Sequence, residues 1–426
     1  MDYFEYKDGA LHCEGVAVDE IARAVGTPAY VYSAATLLHH YRALAEAFAE
    51  LKPTICFSIK SLANLQVLQV LAEAGSGFDV VSGGELARAL AVGADPEGIV
   101  FAGVGKTDAE INEAIAAGIG LFNVESEAEF ENLSRLAAAA GRTVRAALRV
   151  NPDVYDPKTH AYTTTGKKET KFGVDIDRAP AFFAAYGNDP HAKLDAVHLH
   201  IGSPIYSAEP YVRAITKALG LIEQLRAERF AVCTLDVGGG FAADYEAGAS
   251  PLAADYAREI LPLLADTGLE VILEPGRQIA CNAGILLTRV LYTKAGGEKR
   301  FVIVDAAMTD LVRPAMYGSE HFVYPARLAA GAGAPERRPG YEAPGGVKVD
   351  VVGGVCESSD FLALGRVLPP VERGDLLAVF SAGAYGFVMG SQYNSRPRPA
   401  EVLVEGDAFR TVRPRERYED LFATER

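Results

Sequence analysis

The sequence predicts an α/β fold, a TIM-type (β/α)8 barrel followed by a C-terminal antiparallel β domain. Three observations predict it. Eight short apolar runs alternate with alanine-rich helical stretches between Thr54 and Arg277. Past about Leu286 the alternation stops, and apolar runs succeed one another with Gly and Pro clusters between them. Several residues able to do chemistry gather at the carboxyl ends of the first, sixth, seventh and eighth runs, the face on which such barrels build their sites.

Taken in order, residues 1–29 are short and mixed, with a turn at Lys7-Asp8-Gly9 and a helical pattern over Val18–Val25. Ala29–Tyr32 reads as an extended lead-in. The barrel is assigned to residues 30–285. Its strands are read as Thr54–Lys60, Gly77–Ser82, Ile99–Gly103, Leu121–Ser126, Arg145–Asn151, Ala196–Ser203, Thr234–Gly240 and Val271–Arg277. Helical patterns lie between them, as in Leu65–Ala74, Gly84–Val92, Ala109–Ala117, Ala128–Ala140 and Ala208–Arg226. Strand–helix alternation means a parallel sheet, and eight units favour closure over an open doubly wound sheet. The long polar connection from Asn151 to Asp195 falls on the carboxyl face, where such loops carry function. Residues 1–29 and 286–426 are assigned to a β-sandwich or β-barrel-like domain, with strands at Ile285–Tyr292, Arg300–Asp305, Val347–Val352, Leu376–Phe380 and Ala400–Val404. Ala329–Gly346, rich in Gly, Ala and Pro, reads as an exposed loop.

The chain has 426 residues and a formal charge of −15. That charge argues against nucleic acid and anionic membrane as partners. No apolar run reaches the roughly 18 residues needed to span a bilayer, and the acidic start Met1-Asp2-Tyr3-Phe4-Glu5 lacks a signal-peptide pattern. Five scattered cysteines without a C-x-x-C fit a reducing cytoplasm, with no disulfide framework and no zinc site.

Lys60 closes the apolar run from Thr54. Most lysines are solvated; one at the end of a buried strand can lose its proton by desolvation and attack a carbonyl. His198 and His200 share a face by the period of two. His198 reads as a satisfied interior residue, and no third ligand at suitable spacing makes a metal site. His200, nearer the end, can stack on a planar group. Asp236-Val237-Gly238-Gly239-Gly240 is either a plain tight turn or a cradle whose N–H groups meet a phosphate. Glu274-Pro275-Gly276-Arg277 is either a structural ion pair or two separate tools. In the second case the carboxylate faces a heterocycle nitrogen, and the guanidinium faces a carboxylate or phosphate. Cys356-Glu357-Ser358 follows a glycine pair, and a thiol there is either inert or a proton donor. Arg313 to Gly318 and Gly383-Ala384-Tyr385-Gly386 add loop-borne polar groups. An imine-forming lysine, a phosphate cradle, a ring-nitrogen carboxylate and a stacking histidine together suit pyridoxal 5′-phosphate, PLP.

These stretches resemble the barrel-type (fold type III, alanine racemase-like) PLP-dependent amino-acid decarboxylases, and most closely the diaminopimelate decarboxylase branch. The resemblance rests on Ser58–Asn64, His200–Ser203, Gly238–Gly240, Glu274–Arg277, Cys356–Ser358 and Gly383–Tyr385. Gly166–Gly173, Arg313-Pro314 with Tyr317, and glutamate after Cys356 point to that branch. The resemblance implies decarboxylation of meso-diaminopimelate to L-lysine in lysine biosynthesis, by a head-to-tail homodimer whose sites are shared between subunits. It implies Lys60 as the imine lysine, Glu274 on the pyridine nitrogen and His200 on the ring. Ser203, Gly239, Gly240 and Tyr385 would hold the phosphate, with Asp79, Pro275, Gly276 and Arg277 beside the cofactor. Arg277, Arg313 and Tyr317 would take the distal carboxylate and Glu357 the distal amine, with Tyr385 also against the substrate. Cys356 would protonate the product. Ser61 and Met316 depart from the family pattern. Competing readings are an ornithine, arginine or carboxynorspermidine decarboxylase of the same fold, and a PLP-binding regulatory pseudoenzyme. The pair Arg313 and Glu357 favours a substrate with both distal charges, and retention of Lys60, Glu274 and Cys356 favours an enzyme.

Overall fold

A computed structural model describes residues 2–425 except 161, 162, 164, 167–169, 246–249 and 339. Lys167, Lys168 and Glu169 of the Gly166–Gly173 stretch therefore lie outside the described residues. The chain forms two units, one of residues 40–242 and 251–277, the other of residues 1–39, 243–250 and 278–426.

The first unit is the barrel. Its strands are β1 (Thr54–Ser58), β2 (Gly77–Val80), β3 (Ile99–Phe101), β4 (Leu121–Val124), β5 (Val144–Asn151), β6 (Ala192–His198), β7 (Thr234–Asp236) and β8 (Glu270–Leu273). All neighbours pair in parallel, β8 pairs β1, and β4 pairs β5, so the sheet closes. Helix starts are fixed by side chains that accept otherwise unpaired backbone N–H groups. Asn64, Ser82 and Ser126 cap the helices Leu65–Glu73, Gly83–Ala91 and Glu127–Ala139. Thr107 and Glu110 form a reciprocal capping box on Asp108–Ala117. Asn64, part of the lysine-bearing motif, thus has a structural duty.

Cys56, Val100, Leu121, Ala147, Ala196 and Ile272 form one buried layer. Side chains two residues on share a strand face. The next positions toward the carboxyl end are Ser58, Ala102, Asn123, Arg149, His198 and Glu274, so an apolar layer supports one that is polar at all positions but Ala102. Close packing explains Gly77, whose Cβ would fall 2.3 Å from the Gly98 carbonyl oxygen and 3.1 Å from Cys56 Sγ.

Every barrel strand but β5 ends sooner than its apolar run. β1 ends at Ser58, and Lys60 stands on a 3-10 turn, Ile59–Ser61. β6 starts at Ala192 and ends at His198, leaving His200 on the following loop. The cause is that the mouth turns are buried too: Ile59, Leu199, Ile201 and Val237 are all inaccessible.

The second unit is a β domain, mostly antiparallel but not wholly. Gly284–Gly296 pairs antiparallel with Lys299–Val304, Leu376–Val379 and Ala29–Ser33. Lys299–Val304 with Val347–Val352, and Ala29–Ser33 with Ala400–Glu405, are parallel pairs. The lead-in at Ala29 is therefore a central strand of this sheet, buried at all five positions. Its Tyr32 hydroxyl donates to Glu401 Oε1 at 2.8 Å, and Tyr30 donates to the Asp310 carbonyl at 2.6 Å. Among the described residues no helix is long and apolar enough to cross a membrane.

Candidate active site

Lys60, Asp79, His200, Ser203, Gly239, Gly240, Glu274, Pro275, Gly276 and Arg277 all lie in the barrel unit, at or just past strand ends. The half-exposed Lys60 ammonium pairs with the fully buried Asp79 carboxylate. Ser58 tightens this corner. Its N–H donates to the Pro275 carbonyl at 3.0 Å, and its hydroxyl reaches Asp79 and the Glu274 carbonyl. Gly276 packs against it; a Cβ there would fall 2.9 Å from Ser58 Cβ and 3.0 Å from Ser61 Oγ. Ser61 costs nothing as a buried polar residue, because its hydroxyl donates to the Ser58 carbonyl at 2.8 Å.

Glu274 is the electrostatic centre. Burial alone would raise its carboxyl, but His198, then Lys60 and His200, outweigh burial and hold it well below the usual carboxylate range. His198 Nε2 is 3.4 Å from Glu274 Oε2, close enough for attraction, yet neither ring nitrogen has an aligned hydrogen bond. His198 is interior as expected but not fully satisfied, and its closest polar neighbour is the Glu274 carboxylate on which it acts. Burial first, and the Glu274 charge second, push Asp236 well up, so the pair favours a single negative charge. Asn123 Nδ2 bridges them, 3.3 Å from Asp236 Oδ2 and 3.2 Å from Glu274 Oε1. His198, Asp236 and Glu274 offer ligand atoms within 4.8 Å of one another. Spacing along the chain hid this grouping, since its members come from β6, β7 and the end of β8.

Burial, with the Arg149 and Lys60 charges, drives His200 well down, so its ring is a neutral, flat imidazole. Gly239 N–H points at His200 Nδ1 at 3.3 Å. The glycine turn has no room for side chains. A Cβ on Gly239 would fall 2.2 Å from the Glu274 carbonyl oxygen, and one on Gly240, at φ +101°, 2.3 Å from that of Gly202. The Tyr211 hydroxyl donates to the Gly239 carbonyl at 2.9 Å. Arg277 Nε donates to Ser203 Oγ at 3.0 Å while Glu274 faces His198 and Asn123, so the two charges of Glu274-Pro-Gly-Arg277 serve different partners.

Arg313, Tyr317, Cys356, Glu357 and Tyr385 lie in the β unit. Arg313 is buried beside two rings, its guanidinium carbon 5.3 Å from the Tyr245 centroid and 5.5 Å from the Tyr317 centroid. Its Nη2 donates to Ser319 Oγ at 3.0 Å. Cys356 and Glu357 are exposed on one loop, so Cys356 is exposed rather than half-buried. Tyr385 has φ +55°, an uncommon backbone for a tyrosine.

Residues 34–281 match the model described as the pyridoxal binding domain of pyridoxal-dependent decarboxylases. A diaminopimelate decarboxylase of Pseudomonas aeruginosa is 48% identical over 100% of this chain and 99% of its own. One from Aquifex aeolicus is 44% identical over 98% and 96%. The chain belongs to the diaminopimelate decarboxylase family of pyridoxal-dependent enzymes. The diaminopimelate decarboxylase of Helicobacter pylori, solved complexed with L-lysine, superposes with a TM-score of 0.88 at 39% identity, covering 96% of this chain and 99% of its own.

The family's cofactor is PLP, and the donor set fits it. An ionised carboxylate sits deep, a neutral imidazole is flat, a glycine turn exposes N–H groups, and a lysine amine stands at the mouth. Buried Asp79 Oδ1 and Asn123 Oδ1 have no protein partner, as in a pocket built for a further polar group. Inspection of motifs missed Asn123, the role of Asp236, and the buried pair Arg149–Glu125. Glu125 accepts from Arg149 Nη1 at 3.0 Å, Gly103 N–H at 3.1 Å and Gly173 N–H at 2.9 Å, tying together the loops after β3 and β5. The signal available for Asn123 and Arg149 was their position two residues beyond an apolar layer residue.

Proposed function

We propose that the substrate is meso-2,6-diaminopimelate, decarboxylated to L-lysine and CO2, and that the site residues divide as follows. When bound, PLP supplies a ring that withdraws electrons from the carbon losing CO2. Glu274, ionised by its surroundings, holds a proton at the ring nitrogen. His200 covers the ring face. Ser203 with the Gly239, Gly240 and Tyr385 backbone and hydroxyl groups holds the phosphate. Lys60 would carry the cofactor's aldehyde carbon on its amine nitrogen, and Asp79, its buried charge partner, would lie beside that nitrogen. Arg277, Arg313 and Tyr317 bind the distal carboxylate, Glu357 binds the distal amine, and Cys356 gives the product carbon its proton.

The observation that carries the substrate is the held guanidinium of Arg313. An ornithine-type site needs only a carboxylate for a distal amine; a guanidinium held beside Tyr245 and Tyr317 suits a distal carboxylate. Arg313→Lys therefore raises the KM for diaminopimelate by roughly tenfold or more, since a hydrogen bond to a charged group is worth about 1.5–3 kcal/mol. PLP affinity stays near its original value. An unchanged KM removes the distal carboxylate from Arg313.

The assembly is a head-to-tail homodimer that completes each barrel site with the other subunit's Cys356 loop. What supports it is that Cys356, Glu357 and Tyr393 are exposed on one face of the β unit, while a proton donor needs cover from water. Five free cysteines, Cys13, Cys56, Cys233, Cys281 and Cys356, suit the cytoplasm.

A further inference from the structure

We propose that Tyr393 and Asn394 are positioning residues that set the Cys356–Glu357 loop in place, Asn394 through the Cys356 backbone and Tyr393 through the Glu357 carboxylate. The proposal rests on the reading of Cys356 as proton donor and Glu357 as amine binder.

The loop is fixed at two levels. At its base, the Asp360 carboxylate accepts the Val355 N–H at 2.6 Å and the Met308 N–H at 2.7 Å. A Cβ on Gly353 would fall 2.5 Å from Asp360 Oδ2, so the chain enters the loop through a glycine. At its tip, two consecutive residues meet two consecutive residues. Asn394 Oδ1 accepts the Cys356 N–H at 2.9 Å, and the Tyr393 hydroxyl donates to Glu357 Oε1 at 2.7 Å. The same contact raises the Tyr393 hydroxyl above its ordinary value.

Packing does not explain this turn. Tyr393 is 45% exposed and the residues beside it are exposed as well. Asn394 and Ser395 both have left-handed backbones, at φ +54° and +55°. Two such non-glycine residues in succession persist only where the surroundings over-determine them. The surroundings do so here. Gln392 Nε2 donates to Glu416 Oε2 at 2.9 Å on one side, and the Arg396 guanidinium donates to the Asp305 carbonyl on the other. The turn is held rigidly and buries little, and its side chains end on the two residues assigned to proton transfer and amine binding. A proton donor must lie within hydrogen-bond reach of its target carbon, so a loop free to drift delivers the proton late or elsewhere.

The test uses the holoenzyme and four variants. Asn394→Gly accepts the left-handed backbone and removes only the acceptor, while Asn394→Asp keeps the acceptor. Tyr393→Phe removes only the hydroxyl. Cys356→Ala is the reference for a lost donor. The first readout is hydrogen exchange at the Cys356 amide, resolved by fragmentation mass spectrometry. The second is the fraction of turnovers in which the proton goes to the cofactor carbon instead of the substrate carbon, water then releasing pyridoxamine phosphate and an aldehyde. In Asn394→Gly, exchange at Cys356 accelerates about tenfold or more as the amide loses its partner, and the pyridoxamine fraction rises toward that of Cys356→Ala. Asn394→Asp keeps both near the original values. Tyr393→Phe raises the KM for diaminopimelate about fivefold and lowers kcat less, the size of one typical net hydrogen bond, because Glu357 loses the hydroxyl that sets its carboxylate. Exchange in barrel peptides, unchanged in every variant, shows that the fold is intact. An unaltered Cys356 amide or pyridoxamine fraction in Asn394→Gly, with Cys356→Ala raised, overturns the positioning role of Asn394 alone. An unaltered KM in Tyr393→Phe overturns that of Tyr393. If Cys356→Ala itself leaves the pyridoxamine fraction unchanged, the proton-donor reading fails and the role of Asn394 falls with it.

Discussion

Lys60→Ala abolishes lysine production and the visible imine absorbance of bound PLP, while the fold survives. The amine stands at the barrel mouth on the Ile59–Ser61 turn, half-exposed, with the fully buried Asp79 as its charge partner. No other residue of the assigned site carries a primary amine, so nothing replaces the nucleophile. The fold survives because Asp79 can take up a proton. Its carboxyl is already raised by burial and by Glu274, and Lys60 opposes that rise. Losing Lys60 shifts Asp79 further toward the neutral form instead of stranding a buried charge. Turnover near the original rate in the purified variant contradicts the assignment. The same variant probes the assembly. Mixed with Cys356→Ala under subunit exchange, half the dimers are heterodimers and each has one intact composite site. About a quarter of the original activity returns by this symmetry argument. No recovery, with heterodimers demonstrated, means that Cys356 serves its own chain.

Glu274→Gln lowers kcat by on the order of 10² or more, the size seen when a preorganised electrostatic partner is removed, with PLP affinity little changed. The structure makes Glu274 the one carboxylate of its pair that stays ionised. Burial opposes the charge, but His198, Lys60 and His200 overcome it, while Asp236 beside it is pushed the other way. Glutamine keeps the shape and the contact with Asn123 but has no charge to favour a proton at the ring nitrogen. Stopped-flow or steady-state turnover with saturating diaminopimelate measures the effect, and an unchanged kcat takes Glu274 out of this role.

Much of the barrel and of its site is readable from residue order because both follow a short period. The apolar layer of Cys56, Leu121, Ala147, Ala196 and Ile272 has its polar successors two residues later, and the motifs after β1, β6, β7 and β8 carry Lys60, His200, Gly238–Gly240 and Glu274–Arg277. Strand ends are less legible, since Ile59, Leu199, Ile201 and Val237 are as buried in turns as in strands. Ala29–Ser33 misleads for a related reason. Its neighbours in the sheet, Gly284–Leu287 and Ala400–Val404, lie some 250 and 370 residues away, and no local pattern reveals them. Separations of 113 and 151 residues hide the bridge from Asn123 to Asp236 and Glu274, and separations of 38 and 36 hide the reach of Asn394 and Tyr393 to the Cys356 loop. A local motif names a residue's chemistry; its partners come from strands that the sequence separates.

The most direct test of the central claim is product detection with meso-diaminopimelate, ornithine, arginine and carboxynorspermidine supplied in parallel to the PLP-loaded protein. The held Arg313 and the hydrogen-bonded Glu357 predict L-lysine and CO2 from diaminopimelate and no comparable turnover of the other three. Turnover of ornithine, arginine or carboxynorspermidine with diaminopimelate left intact contradicts the account.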